Sequence, residues 1–252
     1  MDRSQYLHNK IMLNALSFKS NFYKTIVRSD LAKKLEVIVN EKQSLLHYFG
    51  MPAANFYDMN TFKSYINKLT SVEYNEVIFN EQLEKVKNFD LIYKNMLFGD
   101  IDLIIKSGED ENHKKIVWPF DFIFLDYYDC FELNRLEIFE KCMFEQKENG
   151  VDSWIFALCH KFEFHNTNEK EILLENHQSI IRSILDVCKN SGYFHSDMDT
   201  FIYIREGRKT KELQTYMQYS MILKDEKSSR NNAIKIHFSN GTNFENIKEL
   251  VL

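Results

Sequence analysis

Glycine and proline are scarce in this chain, with seven and two among 252 residues. Average usage is about 7% and 5%, so few positions can take left-handed or kinked backbone. Loops are therefore expected to be short, and a glycine-rich phosphate loop is all but excluded. Cysteine is sparse too: Cys130, Cys142, Cys159 and Cys188 stand far apart, with no Cys-x-x-Cys pair and no histidine at zinc spacing. They read as reduced, buried thiols, and no metal site is expected. No stretch reaches 18 apolar residues, and the opening MDRSQYLHNK carries charges of both signs with no apolar core. A spanning helix, a signal peptide and a membrane partner are accordingly not predicted, and the cytoplasm is the expected location. Charge of one sign is also in short supply, since 37 acidic residues against 32 basic ones leave −5. A basic nucleic-acid footprint over the whole surface is thereby argued against.

What is present is apolar and aromatic: 44% of the chain is hydrophobic and 14% aromatic, on a length ample for a buried core. Two amphipathic helices are predicted over residues 1–43, the second capped at Ser29-Asp30, as an extension to a main domain at 44–252. That domain alternates strands and helices. Strand signals fall at Ser44–Phe49, closed by Gly50-Met51-Pro52; at Thr70–Tyr74; somewhere before Gly99; at Phe120–Leu125, the strongest of them; and at Ser153–Cys159. Helices are predicted from Asn60 or Thr61 through Leu69, around Phe79–Val86, over Leu133–Glu148 and over about Lys170–Lys189. Phe201–Arg205 and Gln214–Leu223 follow with only a polar loop between them, which predicts a β-hairpin, and Ile234–Phe238 is one more strand. The expected fold class is α/β, a doubly wound and mainly parallel sheet with a C-terminal antiparallel hairpin.

In an open parallel sheet, ligands settle beyond the carboxyl ends of the strands. Those ends carry Tyr48 to Pro52, then Glu73, Asp100, Asp126 to Asp129, and His160-Lys161. Gly50 and Glu73 stand 23 positions apart, Gly99-Asp100-Ile101 follows the third strand, and Phe120–Asp129 forms the fourth. With the closing hairpin, this layout resembles the class I S-adenosylmethionine-dependent methyltransferases over roughly residues 44–224. The resemblance implies S-adenosylmethionine as cofactor, held by Tyr48, Gly50, Glu73 and Asp100, with Glu73 on the ribose diol and Asp100 beside the adenine. It also implies that Asp126, Asp129 and Tyr127 act at the methyl acceptor, as catalytic residues of a transferase. Physically, methyl transfer needs in-line positioning and a base for an acceptor proton; a carboxylate serves for the second, and Tyr127 or Tyr128 for stacking.

Other readings stay open at this stage. The family places two or three small residues in the first turn, whereas Gly50 stands here between Phe49 and Met51-Pro52, as in a methyltransferase-like subunit that has lost its chemistry. Such a module would bind a protein partner or a second copy of itself, and the aromatic excess suits an interface. Asp100 and Asp102 resemble the Asp-x-Asp strand of nucleotidyltransferases, where paired carboxylates hold magnesium. Arg205, Arg208, Lys209 and Lys211 on the hairpin loop are candidate phosphate contacts to a nucleic acid. His160 and His165, with Glu163 between them, are read as ordinary core or surface histidines.

Overall fold

The computed structural model describes residues 22–52, 56–130, 134–162, 170–206, 213–225, 234–239 and 245–250. The chain divides into two compact units, one ending at Val117 and one beginning at Trp118. The first contains α1 (Phe22–Lys42), β1 (Leu46–Gly50), α2 (Tyr57–Phe62), β2 (Ile66–Glu73), α3 (Glu76–Lys85), β3 (Tyr93–Phe98) and α4 (Ile101–Ser107). Its sheet has the order β3-β2-β1, parallel throughout. All five residues of β1 are buried, the signature of a parallel strand covered on both faces.

The second unit contains β4 (Phe122–Cys130), α5 (Asn134–Glu148), β5 (Ser153–Phe162), α6 (Lys170–Asn190), β6 (Tyr193–Glu206), β7 (Leu213–Asp225), β8 (Ile234–Ser239) and β9 (Glu245–Leu250). The strand order is β4-β5-β7-β6-β8-β9. β4 and β5 are parallel, β7 runs against both β5 and β6, β6 and β8 are parallel, and β9 runs against β8. The expected doubly wound α/β class with its closing hairpin is therefore present.

Several boundaries differ from expectation, each for a local reason. Ser29-Asp30 caps nothing. One helix runs through it, with Asp30 near the Lys34 ammonium at 3.6 Å and a continuous buried stripe of Val27, Leu31, Leu35 and Ile38. Residues 1–21, where the other N-terminal helix was expected, lie outside the described residues. The helix foreseen from Asn60 is instead the short α2, and Ile66 and Leu69 belong to β2. Their spacing fits either period, and parallel pairing with both β1 and β3 decides for a strand. β4 begins at Phe122 rather than Phe120, because Gln146 of α5 takes Phe120 out of the ladder. The Phe120 N–H donates to Gln146 Oε1 at 3.0 Å, and the Gln146 amide donates back to the Phe120 carbonyl. β9 was not foreseen.

In the second unit, α5 and α6 cover one face of the sheet. Phe139 of α5 packs on Phe156 of β5, ring centroids 4.3 Å apart. His177 of α6 is fully buried over the same face, where its Nε2 meets Thr200 Oγ1 at 2.8 Å and its Nδ1 meets the Tyr219 hydroxyl at 3.0 Å. A neutral imidazole has one N–H and one lone pair, so it satisfies both hydroxyls at once. Burial, with a smaller contribution from His160, pushes His177 down to about 3.

That depression fixes a sign for stability against pH. The unfolded chain takes up a proton at His177 near its ordinary value of 6.5, while the folded chain refuses it until about 3. Stability is full above the upper value and is lost as pH falls between the two, at up to about 1.4 kcal/mol per pH unit. Urea unfolding of His177→Leu is expected to lack this component. The variant also loses about 1–3 kcal/mol at neutral pH, because the Thr200 and Tyr219 hydroxyls are left without the ring.

Candidate functional site

Parallel pairing brings the carboxyl ends of β1, β2 and β3 to one rim of the first unit. Gly50 is paired with Ser71, and Glu73, two residues on, with Phe98. Gly50 and Glu73 thus end adjacent strands, with Asp100 two residues beyond the end of the third.

The three residues differ in how they are held. Glu73 is half-buried, and its Oε1 accepts the Asn75 N–H at 2.9 Å. Among the described residues no side chain pairs with its carboxylate. Burial raises its pKa above the usual value, opposed by backbone N–H groups of Asn75 and Tyr74. Asn75 then caps α3, its side chain accepting from Val77 N and Ile78 N. Asp100 is exposed, and its Oδ1 accepts from Asp102 N (2.9 Å) and Leu103 N (3.0 Å). It is the N-cap of α4, and Asp102 lies in the first turn of that helix. The Asp100-x-Asp102 pair is therefore not on a strand, its carboxylates do not share a strand face, and the nucleotidyltransferase reading falls.

Tyr48 lies inside β1 rather than at its end, and is fully buried. The strand continues to Gly50, whose neighbours are the buried Phe49 and Pro52 and the half-buried Met51. Residues 53–55 lie outside the described residues.

Residues 108–115 form a tight structure folded back on β3. Its organiser is Asp110, a buried carboxylate that sequence reasoning missed. Asp110 Oδ2 accepts from Phe98 N at 3.0 Å, and its Oδ1 from Asn112 N and Lys114 N, each at 2.8 Å. Lys114 adds an ammonium bond to the Met96 carbonyl at 3.0 Å, and Glu111 N donates to the Phe98 carbonyl at 3.1 Å. Gly99, at φ +138°, closes this corner: a Cβ there would lie 3.0 Å from Glu111 Cγ. The sequence signal was present as Gly108 before an Asp and Asn112 two residues after it, a turn signature.

In the second unit Asp126 does not end its strand, because β4 runs on to Cys130. Regular pairing nonetheless ends there. Asp126 is opposite Cys159, and the next partners are Cys130 and Lys161, so four steps on β4 match two on β5. The extra residues form a bulge over 127–129. Tyr127 is buried, with the Arg135 guanidinium 3.4 Å above its ring, so one face is already taken by a cation. The side chains of Tyr128 and Asp129 lie outside the described residues, as do Arg208, Lys209, Lys211, Glu163 and His165. Arg205 is paired with Gln214 near the end of β6. His160 and Lys161 lie within β5 rather than beyond it, and His160 is fully buried. Cys142, Cys159 and Cys188 are buried thiols outside any disulfide. Among the described residues no cluster of three or more His, Cys, Asp or Glu is placed to hold a metal ion. No described helix is long and apolar enough to cross a membrane.

No family model matches the chain, nor does any curated protein. Solved structures are similar in fold. M. jannaschii TYW2 in complex with AdoMet is 11% identical, over 82% of this chain and 78% of that one, with a TM-score of 0.47. Precorrin-6y C5,15-methyltransferase from Geobacter metallireducens is 11% identical, over 80% and 89%, with a TM-score of 0.44. Precorrin 8w decarboxylase from Methanobacterium thermoautotrophicum is 8% identical, over 76% and 89%, with a TM-score of 0.39. Likeness at this level is one of topology, and a ligand has to be argued from this chain's own residues.

The role of Asp110 is directly measurable. Asp110→Ala leaves three backbone N–H groups without their acceptor and is expected to cost about 3 kcal/mol in chemical unfolding. Asp110→Asn keeps an Oδ1 acceptor but sets an amide N–H against that of Phe98, so it recovers only part of the loss. Asp100→Ala, which removes a single exposed cap, is expected to cost about 1 kcal/mol.

Proposed function

We propose that the chain is a divergent S-adenosylmethionine-dependent methyltransferase acting on an unidentified acceptor. Glu73 carries the reading: a half-buried carboxylate at the end of β2, on the strand beside Gly50, held by backbone N–H groups and, among the described residues, matched by no cationic side chain. A carboxylate so placed costs desolvation and gains little from inside the protein, which fits a group kept for a ligand. The vicinal hydroxyls of a ribose supply two donors, and a carboxylate accepts both in short charge-assisted bonds. Gly50, without a side chain, leaves the end of the neighbouring strand open to close approach.

Gly50 and Glu73 hold the cofactor nucleoside, and the exposed Asp100 lies at the adenine side while its Oδ1 also caps α4. S-adenosylmethionine supplies the electrophilic methyl group when bound. Asp126, the last regularly paired residue of β4, orients the acceptor or takes its proton, with Tyr127 and Asp129 in the bulge that follows it. An in-line displacement asks little more of the protein than this positioning and an outlet for the proton.

A second reading is favoured by one observation. The strand-1 turn presents Phe49, Met51 and Pro52 where close backbone approach is wanted, as expected of a methyltransferase-like subunit that binds a partner and catalyses nothing. Calorimetry separates the two. On the first reading S-adenosylhomocysteine binds the folded protein, and Glu73→Ala weakens it at least a hundredfold; a folded sample giving no heat with cofactor or product supports the subunit.

The same titration has a predicted pH profile. The ribose bonds need the ionised carboxylate, and burial raises the Glu73 pKa. Binding is therefore full at neutral pH and begins to fall, as pH is lowered, earlier than it would with an ordinary glutamate. The decline is absent in Glu73→Gln, which binds weakly at every pH.

A further inference from the structure

β3 is the outer strand of the first unit's sheet, with β2 on one side and, among the described residues, no strand on the other. A strand in that position turns half of its N–H and C=O groups outward, where they can template a further strand. Here the outward groups near its carboxyl end are already taken. The Phe98 N–H donates to Asp110 Oδ2 at 3.0 Å, the Phe98 carbonyl accepts from Glu111 N at 3.1 Å, and the Met96 carbonyl accepts from Lys114 Nζ at 3.0 Å. Two of these three bonds come from side chains and not from a neighbouring backbone.

The segment that supplies them is not itself a strand of the sheet. It closes on itself: Glu109 bridges Lys115 in antiparallel fashion, Asp110 N donates to the Lys114 carbonyl at 2.9 Å, and Ile116 N donates to the Gly108 carbonyl at 3.0 Å. Much of its backbone is thus spent internally, and what its side chains offer β3 is an anion for an N–H and a cation for a carbonyl. One further bond ties it down, from Asn95 Nδ2 to the Lys115 carbonyl at 3.1 Å. The result is a clasp one side chain deep, laid over backbone groups that would otherwise need another partner.

We propose that this clasp masks a self-pairing edge, and that once Asp110 and Lys114 let go, β3 pairs antiparallel with β3 of a second copy. The strand itself fits that occupant. A two-fold axis through Met96 sets Met96 against its own counterpart and Lys94 against Phe98, so outward backbone groups meet outward ones. Lys94 is the only charged residue of the strand, and in this register it faces no like charge. The pairing joins one sheet to another and does not add a lone strand, so each copy brings a folded scaffold that holds its edge in place. No group at Glu73 enters the proposal, which is independent of the cofactor reading.

The test uses the full chain, with sedimentation velocity over a hundredfold range of concentration as one readout and amide hydrogen exchange of β3 by NMR as the other. Wild type is expected to keep one sedimentation coefficient and slow exchange at Phe98 throughout. Asp110→Asn combined with Lys114→Met keeps an acceptor at Oδ1 for the turn but gives up both side-chain bonds to β3. In this opened variant Phe98 is expected to exchange at least tenfold faster at the low concentration. At the high concentration the variant sediments as a dimer, and Met96 and Phe98 regain protection. Adding Lys94→Pro, at a position that alternates with Met96 and Phe98 and so turns its N–H outward, keeps the opened variant monomeric. His177→Leu, destabilised in the other unit, stays monomeric, which separates edge pairing from general loosening. The proposal is overturned if the opened variant is folded and monomeric at every concentration, if it associates without renewed protection on β3, or if His177→Leu associates equally. Should the double variant not fold, Lys114→Met alone is read on the same two scales, and no change in either overturns the proposal as well.

Discussion

The parallel pairing of β1, β2 and β3 is the constraint from which the candidate cofactor site derives. Parallel strands point their carboxyl ends the same way, and the observed register sets Gly50, Glu73 and Phe98 along one rim. Burial on both faces makes that register hard to slip, because every one-residue shift would exchange the faces of an apolar strand. Two polar anchors confirm how tightly the layers are matched. Ser71 of β2 donates to Gln82 of α3 at 3.1 Å, and Arg28 of α1 meets Asp58 of α2 at 2.6 Å, both pairs buried. The rim is thus inherited from the core and not from loop chemistry.

Loops then divide the acids at that rim by task. Asp110 and Asp100 turn their carboxylates on backbone N–H groups, one to fold a loop onto β3 and one to start α4. Glu73 also takes backbone N–H groups, but its side chain is burdened by desolvation and, among the described residues, answered by no cation. These three acids therefore have three different energetic situations, and only one has the imbalance expected of a ligand-binding group.

Much of the architecture was legible in the sequence because its strongest signals are one-dimensional. Phe122–Leu125 and the apolar stretch of β5 have no helical alternative of sufficient length, and α5 and α6 have clear periods and ends. The hairpin followed from the absence of a helix between two strand patterns. What failed were segments whose apolar spacing fits two periods, as at Phe62–Leu69, and residues whose role is set by distant partners. Nothing local marks Phe120 as withdrawn from the ladder by Gln146, or Asp126 as the last regular pair of β4. Glu73 was visible by its distance from Gly50, whereas the bond from Phe98 to Asp110 was invisible, since it spans 12 residues and nothing local announces it.

The bulge after Asp126 carries a consequence for how this chain can change. Because β4 spends four steps where β5 spends two, residues 127–129 hold slack that no ladder consumes. Adding or removing one of them alters the length of an arch and leaves the ladder from Phe122 to Asp126 in phase. The same edit upstream of Phe124 would put the strand out of phase and exchange the two faces of the residues before it. Variation in length is thus admitted on one side of the carboxylate and refused on the other, while the sheet stays as it is.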